Sequence, residues 1–392
     1  MALNALPVHN FPAITHQIQA ANFNVQKSTS PSSSPGGASA EMIRCANGKR
    51  LIIAATILFG IAVLLQTFYK LGLLSFGFAT WRPVVYAYVL WGVALGLGQV
   101  WMHGNEGKKS LFVLPAVLFT IAMVIFPTFF GLYIAFTDWN LSSLEGRRFS
   151  GLKNLYALFA DPYYWNALAN MVFYVLTVLV QYAIAFGLAL LLNAEIRGRK
   201  FFRVAFLLPF MLSPVAVSWM IGKSLMEYRY GPVAKLARYL GWDSPTFFTS
   251  PWIAKISIAV MDAWVWIPFL MIMLLAGLQA LPKELSEAAK VDGATKWQSF
   301  WQITFPLMLP VSITAIVLRI IFQLKLADIV INVTAGGPGG ATDTVSSFIF
   351  REYRDRSNVG YGTMLAEFYL VLIIIFITLL LGIANRWVKK TQ

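Results

Sequence analysis

An all-α polytopic membrane protein with eight transmembrane helices is the fold this sequence predicts, and three observations predict it. Hydrophobic residues make up 58% of the 392, charged residues only 12%, and the mean hydropathy is +0.66, far from the balance of a soluble domain. Apolar runs at about 51–69, 83–102, 111–136, 166–192, 202–224, 254–280, 306–331 and 363–385 match the roughly 20 residues that a spanning helix needs. Lys and Arg gather in short connections, among them Lys108 and Lys109, then Arg197, Arg199, Lys200 and Arg203, and finally Arg386, Lys389 and Lys390. An even number of spans puts both termini on one side, and the basic connections make that side cytoplasmic.

The runs divide the chain in order. Residues 1–48 are polar and carry a Ser/Pro/Gly cluster at 28–39, so they cannot bury enough apolar area to offset their ordering entropy and are expected to be a disordered cytoplasmic tail. The tail is too long and too polar for a cleaved signal peptide. Residues 49–105 hold the first two spans and 106–388 the remaining six. Connections 137–165, 225–253 and 332–362 are external in this topology, and 283–310 is cytoplasmic.

Composition and motifs exclude most chemistry. The formal net charge of +14 suits cytoplasmic loops against anionic lipid, and no basic domain offers a nucleic-acid footprint. Cys45 is the single cysteine, and His9, His16 and His103 form no metal-ligand spacing. The glycines of 336–340 precede no Lys-Ser/Thr, and Gly104 and Gly107 are too close together for a phosphate loop. No Ser/His/Asp set or catalytic carboxylate pair is present. The chain is expected not to be an enzyme.

The connection from Glu287 to Pro310 is the longest amphipathic, charge-bearing link in the C-terminal half. Glu287, Ala288, Ala289 and Lys290 favour a short helix. Gly293 can turn left-handed and stop it. Trp297, Phe300, Trp301 and Ile303 then form an apolar stripe at helical spacing, and Pro306 and Pro310 stiffen entry into the next span. The expectation is a helix–turn–helix knob at the membrane surface.

These residues resemble a known signature. Glu287-Ala288-Ala289, Asp292-Gly293-Ala294, Ile303 and Pro306 are similar to the EAA motif of permease subunits of binding-protein-dependent ABC importers, in the carbohydrate branch of maltose-type and glycerol-phosphate-type permeases. Phe136-Thr137-Asp138-Trp139, Arg197-Gly198-Arg199, Leu207-Leu208-Pro209, Ser213-Pro214, Ala276-Gly277-Leu278-Gln279 and Gly336-Gly337-Pro338 extend the resemblance from about Leu111 to Arg386. Phe305 stands where the signature usually has Leu, and 137–165 is too short for the large external domain that some maltose-type subunits carry.

The resemblance implies two extra N-terminal helices ahead of a six-helix type I importer core in a bacterial cytoplasmic (inner) membrane. It implies a second homologous permease subunit, two ATPase subunits that bind ATP and Mg, and a periplasmic or lipid-anchored substrate-binding protein, with no cofactor on this chain. Glu287, Ala288, Ala289, Asp292, Gly293, Ala294, Ile303 and Pro306 would couple it to an ATPase. Glu287 would pair with a basic residue there, and closure of the ATPases would drive alternating access.

A carbohydrate pathway is implied around Asp262, Trp264, Trp266 and Phe269, with Phe210, Ser213 and Gln323. Asp262, Trp266 and Phe269 share one helical face, where a carboxylate and rings suit hydroxyls and a C–H face. Charges within a span are costly unless paired or wet. Lys325 and Asp328 could pair along the pathway, and Lys325 with Arg319 would make it cationic for an anionic sugar derivative; structural pairing of these charges with the partner helices is the favoured expectation. A proton-coupled secondary transporter relaying through Asp262 and Asp328 is the alternative, but it needs no knob at Glu287.

Overall fold

A computed structural model describes residues 35–70, 73–144, 146–194 and 197–391. The tail expected at residues 1–34 lies outside the described residues. Two compact units divide between Pro127 and Thr128.

The first unit holds α1 (Pro35–Lys70) and α2 (Arg82–Thr120), followed by a π-helical turn at Ile121–Ile125. α1 begins well before residue 49, so residues 35–48 are helical rather than part of a tail. α2 is not one straight rod. Gly104 leaves helical geometry at φ 54 and ψ −117, a conformation open to a residue without Cβ. Beyond it the chain doubles back, so that the Tyr88 hydroxyl donates to the Leu118 carbonyl at 2.7 Å. A Cβ on Gly92 would strike the Leu118 side chain. The runs expected at 83–102 and 111–136 therefore lie side by side up to the unit boundary.

The second unit contains α3 (its part from Thr128 of Phe126–Ala135), a two-residue hairpin β1 (Thr137–Asp138) and β2 (Arg148–Phe149), α4 (Lys153–Ala160) and α5 (Pro162–Asn193). Next come α6 (Arg199–Met211), α7 (Pro214–Val217) with a π-helical continuation at Ser218–Leu225, α8 (Pro232–Tyr239) and α9 (Pro251–Ala280). α10 (Lys283–Val291), α11 (Lys296–Ser299), a π turn at Phe300–Thr304, α12 (Phe305–Gln323), α13 (Asp328–Val333), α14 (Val345–Arg354) and α15 (Val359–Thr391) complete it. One core joins α5, α9 and α12 through Ala185, Ala189, Leu270, Leu274, Met308 and Ala315. A second places Tyr164, Met171, Phe348, Leu365 and Tyr369 together.

Among the described residues, six helices are long and apolar enough to cross a membrane, or seven if one bent pair counts as a span. That pair is α6 with α7 and its continuation, bent by 95°, where the sequence predicts one span at 202–224. Pro209 lies inside α6, Leu212 turns extended, and Ser213 caps the new helix by accepting from the Ala216 N–H at 3.2 Å. The run 306–331 is also shorter as a helix, because α12 stops at Gln323 and α13 starts afresh at Asp328.

Candidate functional site

The knob is built by its caps. α10 ends with the Asp292, Gly293 and Ala294 N–H groups donating to the carbonyls of Ala288, Lys290 and Ala289 at 3.0, 3.2 and 2.9 Å. Gly293 takes φ +76, the left-handed stop expected of it. One residue after Ala294, Thr295 opens α11 with a capping box. Its hydroxyl accepts from the Gln298 N–H at 3.3 Å, and the Gln298 side chain accepts from the Thr295 N–H at 2.8 Å. Two short helices thus meet at a turn whose geometry is set on both sides.

Its surfaces divide cleanly. Glu287, Ala288, Asp292 and Gly293 are exposed, whereas Ala289 is buried. No ion pair among the described residues engages Glu287. Trp297 is 68% exposed and Trp301 47%, while Phe300 turns inward to meet the Phe186 ring at 5.6 Å. The apolar stripe read from the sequence therefore splits: Phe300 and Phe305 root the knob on α5, and the two tryptophans stand on its surface. Ile303 and Pro306 are half-buried in that root, and Ala294 is half-buried at the turn.

The second site lies inside the helices. Asp262 on α9 and Arg319 on α12 form an ion pair whose side chains are 2% and 0% exposed. Gln181 on α5 joins them, donating to Asp262 at 3.1 Å and accepting from the Arg319 Nε at 2.9 Å. Arg319 also lies over the Trp266 ring, 4.7 Å from its centroid. Trp266 stacks on Phe322 at 4.7 Å, and Phe269 and Phe210 complete a ring cluster at 5.6–6.0 Å separations. Gln323, next to Phe322 on α12, is fully buried with neither amide atom in a hydrogen bond.

The structure brings Phe210, Asp262, Trp266, Phe269 and Gln323 together, and leaves the other expected pathway residues apart. Trp264 is 37% exposed and makes no ring contact with the cluster, because two residues along a helix turn it to another face. Ser213 caps α7. Lys325 and Asp328 are both exposed and form no ion pair with each other; the break between α12 and α13 removes the helical i, i+3 spacing that would have joined them. Asp262 lies in the cluster with one carboxylate oxygen held by Arg319 and Gln181. Gln181 and Phe322 were missed. Gln181 is polar within an otherwise apolar run, a signal the cost of such a group in lipid makes readable. Phe322 carries no such mark.

Comparison with known proteins agrees with this architecture. Residues 154–390 match the family described as binding-protein-dependent transport system inner membrane component. The chain is 33% identical over 264 residues to the sulfoquinovosyl glycerol transport system permease protein SmoG of Agrobacterium fabrum, covering 67% of this chain and 85% of that one. It is 31% identical over 274 residues to the trehalose/maltose transport system permease protein MalF of Thermococcus litoralis, covering 69% and 92%. With the sn-glycerol-3-phosphate transport system permease protein UgpA of Agrobacterium fabrum it shares 30% over 291 residues, covering 73% and 96%. A chain of a bacterial ABC transporter that imports the acidic polysaccharide alginate shares its fold, with a TM-score of 0.62 at 21% identity over 78% of this chain and 98% of that one. The match over residues 154–390 and the near-complete span of these permeases lead to one conclusion: this chain is a multi-pass, non-catalytic membrane subunit belonging to the binding-protein-dependent transport system inner membrane components.

Proposed function

We propose that this chain is one of two homologous permease subunits in an ATP-driven importer of a carbohydrate or a sugar or polyol derivative. The observation that carries the reading is the capped knob α10–Gly293–α11, which presents Glu287 and Asp292 exposed, in no ion pair among the described residues, on a chain of this permease family. Two ATPase subunits, which would hold the ATP and Mg, would receive the knob in a cleft, with Glu287 meeting a basic residue and Ala288 allowing close approach. Ala289, Gly293, Ala294, Ile303 and Pro306 would fix the angle at which the knob leaves the membrane. A substrate-binding protein would deliver the cargo from outside.

In this reading the doubling-back at Gly104 counts as two spans and the bent pair as one, giving eight with both termini cytoplasmic. Movement of the knob would rock the attached helices between inward-open and outward-open states. The rings of Trp266, Phe269, Phe322 and Phe210, with the Gln323 amide, would line the pathway. Rings cover the apolar face of a sugar, and an amide both donates to and accepts from its hydroxyls. The relatives named for sulfoquinovosyl glycerol, trehalose/maltose and sn-glycerol-3-phosphate support a carbohydrate-derived cargo. Affinity purification of the chain from its native membrane tests the assembly. Co-purification of an ATPase whose activity rises when the binding protein is added is expected; a chain that purifies with no ATPase contradicts it.

A further inference from the structure

The Asp262–Arg319 pair consumes the one carboxylate on the aromatic face of α9. It does so in a way that joins three helices. Gln181 contacts both charges, so α5, α9 and α12 meet at a single polar node. One residue along α5, the Tyr182 hydroxyl donates to Ser312 on α12 at 2.8 Å. Further along, α9 and α12 approach so closely that a Cβ on Gly277 would lie 2.9 Å from both Met308 and Val311 side-chain atoms. The guanidinium plane also faces Trp266, which stacks on Phe322.

We propose that Arg319 is a positioning residue: its pair with Asp262 and Gln181 keeps α5, α9 and α12 clamped throughout the transport cycle and sets the Trp266 ring against Phe322. Parting these helices would separate two opposite charges whose side chains are 0% and 2% exposed, at the cost of an uncompensated buried charge. Lysine cannot substitute, since a point charge cannot serve Gln181, Asp262 and the indole face at once. The clamp therefore does not act as a gate. Motion is left to elements that touch it by ring contact, such as Phe210 on α6. This deepens the importer reading and rests on it for the word cycle alone.

Two measurements test it. In a Cys45→Ser background, Gly277→Cys and Val311→Cys place two thiols within disulfide reach across α9 and α12. The purified whole importer should hydrolyse ATP, and be trapped by ATP and vanadate, equally well oxidised and reduced. Arrest on oxidation and recovery on reduction would show that the helices must part, and would overturn the clamp. The second measurement needs no importer. The chain alone in lipid nanodiscs, labelled with 5-fluorotryptophan and assigned with Trp266→Phe, reports the Trp266 ring by fluorine NMR. Arg319→Lys, which retains charge, and Asp262→Asn, which retains shape, should each shift or broaden that resonance. An unmoved resonance in either variant that folds overturns the positioning role. Should no ATPase accompany the chain, the importer reading fails by itself, and the fluorine result still decides the positioning of Trp266 by Arg319.

Discussion

Arg319 and Asp262 close an ion pair from opposite helices with their side chains 0% and 2% exposed. Such a pair stabilises little against an apolar pair of equal volume, yet losing one member leaves an uncompensated buried charge. Arg319→Met and Asp262→Leu should each destabilise the second unit by about 3–5 kcal/mol. The double variant should recover most of that loss. Unfolding in mixed micelles reads all three; equal destabilisation in the double and single variants contradicts the pairing.

The aromatic face makes a positional prediction. Trp266→Ala removes a ring stacked at 4.7 Å on Phe322, whereas Trp264→Ala removes a ring outside the cluster. With the carbohydrate that the cognate binding protein retains, the transport KM should rise about tenfold in Trp266→Ala, roughly 1.4 kcal/mol, and stay unchanged in Trp264→Ala. Equal effects from the two would detach the cluster from the pathway.

Gly293 holds φ +76 at the end of α10. A side chain there meets the left-handed penalty of roughly 1–2 kcal/mol, and proline cannot adopt the angle at all. Gly293→Pro should therefore reshape the knob without touching the membrane cores. The expected result is a normally inserted chain whose complex hydrolyses ATP without moving cargo. Normal uptake by that complex would remove the turn from the coupling route.

Beyond the spans, burial raises the carboxyls of Asp343 and Glu352 above their ordinary values of 3.8 and 4.5, against the opposing pull of Arg351 and Arg356. A carboxyl raised in the fold holds its proton more tightly there than in the unfolded chain. Its contribution to stability is present in acid and is lost as pH rises from the ordinary carboxylate value through the raised one. Thermal stability should thus fall as pH rises over that window in the native chain, and the slope should flatten in Asp343→Asn/Glu352→Gln. A slope of opposite sign in the native chain would contradict it.

How much was legible in the sequence differs by feature. The knob was readable because its determinants are local: Glu287-Ala288-Ala289 favour a helix, Gly293 ends it, and proline follows. The long spans were readable because their hydropathy is uniform. Breaks inside apolar runs were not, since the apolar runs resume beyond Leu212 and Leu324 while the backbone turns at them. The face shared by Asp262, Trp266 and Phe269 follows from helical spacing alone. Its partners Gln181 and Arg319 lie 81 and 57 residues from Asp262, so only tertiary packing could join them. Arg319 announced its need for a partner by its cost in lipid, without saying which.

In the proposed importer, the knob at Glu287 delivers the force. The most direct test of that role is a cross-link in the Cys45→Ser background, with Glu287→Cys as the only cysteine of this chain. In purified native membranes, a short thiol–amine reagent should join position 287 to the co-purified ATPase, with a yield that changes when ATP and vanadate are added. Cross-linking only to lipid or to the second permease, insensitive to nucleotide, would contradict the coupling role.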